Sequence, residues 1–187
     1  MQGYFAVTTL ILLMMLVIFR VFLMRKMGII AIKFGVMDKK DFFIPPFALL
    51  FFYLVLASAF NLPKFGAELF SNEILRWIGV ALCVLGLILF LLVLISFGKS
   101  FRVGIDQEHP GTLITKGIFA ISRNPIYTAF GIILLGIFMI FSNWVLLLYL
   151  VAGMWLFNRQ VLREEKSLEK IYGKEYLEYC KKVHRYF

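Results

Sequence analysis

Arg123-Asn124-Pro125-Ile126-Tyr127 crowds three hydrogen-bonding or charged side chains and a proline into five residues, and Arg163-Glu164-Glu165 follows the next apolar stretch. Both groups border long hydrophobic runs. Polar residues at the entrance of a span, with paired carboxylates beyond the next hairpin, are suited to a polar pocket at a membrane surface. That arrangement suggests an enzyme rather than an anchor.

The carboxylates carry the sharper signal. From Asn158 to Tyr172 the pattern is helical, with Val161, Leu168, Ile171 and Tyr172 on one side at 100° per residue. Arg159, Arg163, Lys166 and Lys170 form the opposite stripe, suited to headgroups or water. Glu164 and Glu165 lie on the apolar half, where an unpaired carboxylate is costly. One turn on, Glu164 meets Ser167 and Leu168, and Glu165 meets Leu168 and Glu169; one turn back lie Gln160, Val161 and Leu162. No basic partner stands one turn away, so a functional carboxylate is favoured over a surface ion pair. Gly173 then stops the helix, and Lys174 to Tyr179 begin a second short amphipathic one whose aromatics are expected at the interface.

These residues need elements to hold them, and composition says which. The chain of 187 residues is 61% hydrophobic and 17% charged, with a mean hydropathy of +0.88. Soluble domains average roughly 45–50% apolar and 25% charged residues, so this is an all-α integral membrane protein, built as one compact unit. The run from Tyr4 to Leu23 has no Lys or Arg before it and no small-residue cleavage site, and is expected to be a retained span. Cys83 and Cys180 have neither disulfide context nor zinc-ligand spacing, and His109 and His184 lie far apart, so no metal site is expected.

Five transmembrane helices are expected: residues 4–24, 42–60 with Pro45-Pro46 in the first turn, 73–97, and two more from the stretch 126–157. Ser142-Asn143 divides that stretch into two short helices of about 16 residues, a helical hairpin barely long enough to cross about 30 Å of hydrocarbon. A cytoplasmic amphipathic helical tail follows. Arg25, Lys26, Lys33, Lys39 and Lys40 charge the first loop, and Lys99, Arg102, Lys116 and Arg123 the third. Eight further basic residues follow Phe157, whereas the Ser142-Asn143 turn has none and the second loop has Lys64, with Arg76 just inside the third span. The positive-inside rule places the N-terminus outside and the C-terminus, with both polar groups, in the cytoplasm. Anionic membrane lipids account for the net charge of +9, and no motif supports a nucleic-acid partner. Residues 1–97 then form three N-terminal spans, and residues 98–187 the cofactor-binding, catalytic half. Gly79, Cys83 and Gly86 offer small residues for contact between helices, within the chain or between copies.

Taken together, Leu113-Ile114-Thr115-Lys116-Gly117, Arg123-Asn124-Pro125-Ile126-Tyr127, Arg163-Glu164-Glu165 and Tyr172-Gly173-Lys174-Glu175-Tyr176 resemble the isoprenylcysteine carboxyl methyltransferase family over residues 96–185. The resemblance implies an S-adenosylmethionine site made of the third loop, the start of the hairpin and the tail. It assigns backbone contacts to Gly111, Thr112, Leu113 and Ile114, a ring without the family hydroxyl to Phe119, and a ligand carboxylate to Glu164. Asn124 stands where the family has His, Pro125, Ile126 and Tyr127 match, and Ala129 replaces a common Gly. The family's substrate arginine aligns with Gln160, leaving Arg159 as the neighbouring candidate, one residue and about 100° away.

The chain has no Gly-rich strand-to-helix turn, so the cofactor site is not Rossmann-like. A sulfonium carries its own activated methyl group; the protein must align it with a nucleophile and exclude water. Glu164 could accept from the cofactor's ammonium or hydroxyls, while Arg123 could orient a carboxylate or brace the loop. The acceptor is expected to be lipophilic, a small molecule or a lipid-modified substrate such as an isoprenylcysteine-type carboxylate, entering from the bilayer. A non-enzymatic membrane scaffold, or an oxidoreductase related to sterol reductases, stays as the alternative reading; the sequence does not give the oligomeric state.

Overall fold

The computed structural model describes residues 1–26, 44–63, 65–98 and 112–187. Lys33, Lys39, Lys40, Lys64, Lys99, Arg102 and His109, used above for topology and metal chemistry, lie outside the described residues. The chain forms helices α1 (Gln2–Lys26), α2 (Ile44–Phe60), α3 (Glu73–Phe97), α4 (Pro125–Phe141), α5 (Trp144–Tyr172) and α6 (Lys174–Lys182), with a 3-10 turn at Gly117–Ala120. Helices α1, α3 and α5 are long and apolar enough to cross a membrane, while α2 and α4 are shorter apolar helices. The protein is an all-helical, multi-pass membrane protein. Large apolar side chains such as Met15, Ile18 and Phe19 of α1 and Leu85, Ile88 and Ile95 of α3 are exposed, as lipid-facing residues are.

Local chemistry sets the helix bounds. Asn72 caps α3, its side chain accepting from the Leu75 amide at 3.1 Å, with Glu73 in the first turn where the helix dipole favours an anion. Pro125 opens α4 at a position that needs no donor. Ser142 then turns the chain in the left-handed region at φ 40°, and Asn143 caps α5 through the Val145 amide at 2.7 Å. The two helices of the hairpin are unequal, contrary to the pair of short helices expected: α4 has 17 residues and α5 has 29. Residues 158–172 contain no Gly or Pro, so nothing interrupts the backbone ladder at the end of the apolar run. Gly173, at φ 52°, ends it.

Helices α3 and α4 make the central contact, and its closeness comes from small residues. A Cβ on Gly79 would lie 2.6 Å from the Gly136 carbonyl oxygen, and one on Gly136 would lie 2.7 Å from the Gly79 oxygen. Gly86 likewise abuts Ile133, and Cys83 is fully buried between them. The small residues read from the sequence therefore serve packing within the chain. Between helices that are all apolar, such close van der Waals contact substitutes for a hydrophobic driving force.

The two ends of the bundle differ. At one, the α4–α5 turn is tied to the segment before α3: Asn143 Nδ2 donates to the Phe65 and Gly66 carbonyls at 3.0 and 2.9 Å, and Ser142 Oγ donates to the Phe70 carbonyl. At the other, Met24, Leu89, Phe90, Leu94 and Ala129 form an apolar floor, with Phe97, Ile118 and Ile126 packed on it. The polar residues of the motifs stand above that floor.

Substitution at the seam should separate backbone contact from side-chain contact. Gly136→Ala meets backbone and should cost about 2 kcal/mol, as overpacking in a tight core does. Gly131→Ala, whose Cβ would meet the flexible end of Met154, should shift the detergent melting temperature far less; thermal unfolding of both variants compares them.

Candidate functional site

The neighbouring carboxylates Glu164 and Glu165 project from α5 about 100° apart and enter different surroundings. Glu165 is buried and heavily bonded. Its Oε1 accepts from Asn124 Nδ2 at 3.1 Å and lies 3.2 Å from Arg123 Nη2, and its Oε2 accepts from Arg185 Nε at 2.9 Å with Nη2 at 2.8 Å. A carboxylate out of water is tolerable when paired and fully hydrogen-bonded, and here three residues from two other segments supply that. The bond to Glu165 also raises the Arg185 pKa above its usual value.

Around this ion cluster the C-terminal segment is stitched to the turn ahead of α4. The Arg123 amide donates to the His184 carbonyl at 3.0 Å, and Asn124 Nδ2 and Ser122 Oγ both reach the Arg185 carbonyl, at 3.3 and 3.4 Å. Tyr179 Oη donates to the Phe119 carbonyl at 2.6 Å. Burial pushes that hydroxyl up to about 12 although Arg123 pulls it down, so it stays a protonated donor at neutral pH. Tyr176, Tyr179 and Val183 pack with Leu113 and Leu168. The α6 tyrosines expected at the interface are instead buried against the loop: α6 is short, and its apolar side chains find protein before lipid.

Glu164 is the contrasting member. It is half-buried, and its Oε1 accepts from Tyr127 Oη at 2.5 Å and from Gln160 Nε2 at 3.1 Å. Both donors are neutral. Among the described residues no cation pairs with Glu164, and Oε2 accepts no hydrogen bond. The Tyr127 ring continues an aromatic series into the bundle, with centroids 5.9 Å to Phe157, then 5.8 Å to Phe130 and 5.3 Å to Phe90.

The remaining candidates are distributed around these two carboxylates. Asn124 and Pro125 are buried at the start of α4, Phe119 is buried edge-on against Phe97 at 4.7 Å, and Ile126 packs into the floor. Thr112 is exposed, Leu113 and Ile114 are half-buried, and Gly111 lies outside the described residues. Arg123 braces the loop through Glu165, one of the two roles open to it. Arg159 is not brought to the cluster. It stands over the Trp155 ring at 5.9 Å, on the side of α5 away from Tyr127, whereas Gln160 reaches Glu164.

Sequence reading missed the clamp. Arg123 is 42 residues from Glu165 and Arg185 is 20, so neither stands one helical turn away. Asn158, which accepts from Tyr186 Oη at 3.0 Å, was missed for the same reason. The available signal was the surplus of carboxylates over local partners on the apolar half of α5.

The phospholipid methyltransferase family model matches residues 74–175, from α3 to the start of α6. The probable protein-S-isoprenylcysteine O-methyltransferase of Oryza sativa subsp. indica is 28% identical over 120 residues, covering 63% of this chain and 63% of that one. Protein-S-isoprenylcysteine O-methyltransferase B of Arabidopsis thaliana is 30% identical over 108 residues, 56% of this chain and 55% of the relative. The alignments thus span about 63% and 55% of these relatives' lengths. Among solved structures, the eukaryotic intramembrane Ras methyltransferase ICMT (isoprenylcysteine carboxyl methyltransferase) superposes with a TM-score of 0.61 at 20% identity, covering 88% of this chain and 58% of that one. At that identity the likeness is one of fold.

The two carboxylates should respond differently to the same change. Glu165→Gln leaves two arginines without their anion and should cost about 3 kcal/mol, the low end for a broken buried pair because Arg185 is 41% exposed. Glu164→Gln keeps an acceptor for Tyr127 and should cost less than about 1 kcal/mol. Thermal unfolding in one detergent compares them.

Proposed function

The chain belongs to the phospholipid methyltransferase family, and from that premise we propose that it is an S-adenosylmethionine-dependent membrane methyltransferase acting on a lipophilic acceptor. The observation that carries the reading is Glu164. A half-buried carboxylate held by two neutral donors, its second oxygen bonded to none of the described residues, is suited to a ligand that brings donors of its own. The ammonium and ribose hydroxyls of S-adenosylmethionine are such donors.

When bound, that cofactor supplies a methyl group on a sulfonium; transfer forms the acceptor–methyl bond as the sulfur–methyl bond breaks, leaving a neutral thioether. The residues of the chain bind and align. Glu164 Oε2 would take the cofactor's ammonium or a hydroxyl, while Tyr127 and Gln160 fix the plane of the carboxylate through Oε1. Thr112, Leu113 and Ile114, with Gly111 before them, would contribute backbone contacts, and Phe119, Asn124, Pro125 and Ile126 the wall and floor beneath. Arg123 acts by position: its bond to Glu165 holds the turn from which Asn124 and Tyr127 follow. A carboxylate or thiolate acceptor needs little further activation.

Acceptor access favours a lipophilic partner. The aromatic series Tyr127, Phe157, Phe130 and Phe90 descends from the site into the apolar part of the bundle, offering rings to a hydrocarbon chain. The names of the relatives make an isoprenylcysteine-type carboxylate the leading acceptor class. We further propose that α1 to α5 make five spans, the N-terminus lying outside and the site in the cytoplasm. Arg25 and Lys26 of α1 share the end of the bundle with the ion cluster, as the positive-inside rule requires. In this reading residues 1–97 are chiefly scaffold and residues 98–187 carry the cofactor.

Calorimetric titration of the detergent-purified protein with S-adenosylmethionine should give saturable binding. Glu164→Ala should abolish it, and Tyr127→Phe should weaken it about tenfold, the loss of one hydrogen bond to a charged group. Full-affinity binding by folded Glu164→Ala would remove this site from the reading.

A further inference from the structure

The outward side of α5 carries a feature that methyl transfer does not use. Along that side the exposed residues Leu148, Val151 and Trp155 form an apolar row, and one turn beyond Trp155 the row becomes basic. Trp155, Asn158, Arg159, Leu162, Arg163 and Lys166 line an open pocket of about 340 Å³. Trp155 is 63% exposed, and Arg159 stands over its ring at 5.9 Å. Among the described residues neither Arg159 nor Lys166 pairs with a carboxylate. This pocket lies across the helix from Glu164.

We propose that this pocket binds the headgroup of an anionic phospholipid. Three cations spaced at i, i+4 and i+7 converge on one concavity, which calls for a phosphate-bearing ligand rather than dispersed counterions. Leu162 and the Trp155 ring give the pocket an apolar side, and the apolar row below supplies a track for acyl chains. A free phosphate would use the cations and leave that track empty. Tryptophan at the change from apolar to basic surface marks the depth of the lipid–water boundary. The Arg159 guanidinium lies 5.9 Å from the centre of that indole, within cation–π range, which keeps it at that depth. A bound headgroup would fix the height of α5 in the membrane, and with it the height of Glu164 on the opposite side.

The experiment uses the full chain with Trp77→Phe and Trp144→Phe, so that Trp155 is the remaining indole. It is reconstituted in neutral phosphatidylcholine bilayers containing a fixed fraction of brominated phosphatidylglycerol or brominated phosphatidylcholine. Quenching of Trp155 should show at least about fivefold preference for the anionic lipid, equivalent to ~1 kcal/mol, the typical contribution of a single surface cation. Arg159→Gln with Lys166→Gln should reduce the preference to unity at unchanged melting temperature, and Arg159→Lys with Lys166→Arg should retain it. Glu164→Ala should keep it too, since the pocket is separate from the methyl-transfer site; loss there would place the lipid in the acceptor site and overturn the proposal. Equal quenching by both lipids in the parent protein, or displacement of the anionic lipid by soluble glycerol phosphate, would also overturn it.

Discussion

Glu165 sets the geometry of the whole polar end. A carboxylate removed from water is tolerable only with cations and donors around it, and this one draws Arg123, Asn124 and Arg185 to a single point. Those partners come from the turn ahead of α4 and from the segment after α6, so one side chain welds three stretches of chain. The rotation of α5 follows. With Glu165 turned to the clamp, Glu164 must face Tyr127, and the stripe of Arg159, Arg163 and Lys166 must face outward. A helix in an apolar environment has little else to fix its rotation, since lipid and protein neighbours are equally apolar.

The two ends of the bundle solve the same problem with different chemistry. Where α4 turns into α5, neutral amides and a hydroxyl bond to the backbone of the preceding segment, with the Arg76–Glu68 pair at 2.6 Å as an exposed addition. Exposed pairs of that kind contribute little. At the other end, ions are buried and the C-terminal segment is folded back over them. Nearer the first of these ends, the Gly79–Gly136 approach brings α3 and α4 into backbone contact.

Much of the architecture was legible because it is written locally. The third span is bounded at Glu73, Ser142-Asn143 marks the hairpin turn and Gly173 the stop, and each acts within a few residues of where it stands. The apolar side of α5 was legible from periodicity. The clamp was not, because Glu165 lies 20 to 42 residues from its partners and pairing across that distance depends on tertiary packing. The same limit explains why Arg123 could be read either as a substrate ligand or as a brace. Arg159 and Gln160 show the opposite case: Gln160 stands four residues before Glu164, so helix geometry alone brings it there, while Arg159 lies a further 100° round the helix.

That rotation also explains how, among the described residues, Glu164 is left without a cation of its own. The clamp holds two arginines and one carboxylate, a surplus of one positive charge beside a single uncompensated negative one. In a medium of low dielectric, charges on adjacent residues interact appreciably without touching. The clamp and Glu164 together therefore balance in formal charge, although among the described residues Glu164 pairs with no cation. Had one of the clamp arginines instead paired with Glu164, the same count of charges would have produced two closed ion pairs and no open carboxylate oxygen. Placing both cations on Glu165 concentrates stabilisation on one acid and leaves its neighbour able to accept a donor from outside the chain. Two adjacent acids thus meet different surroundings, Glu165 among charged partners and Glu164 among neutral donors.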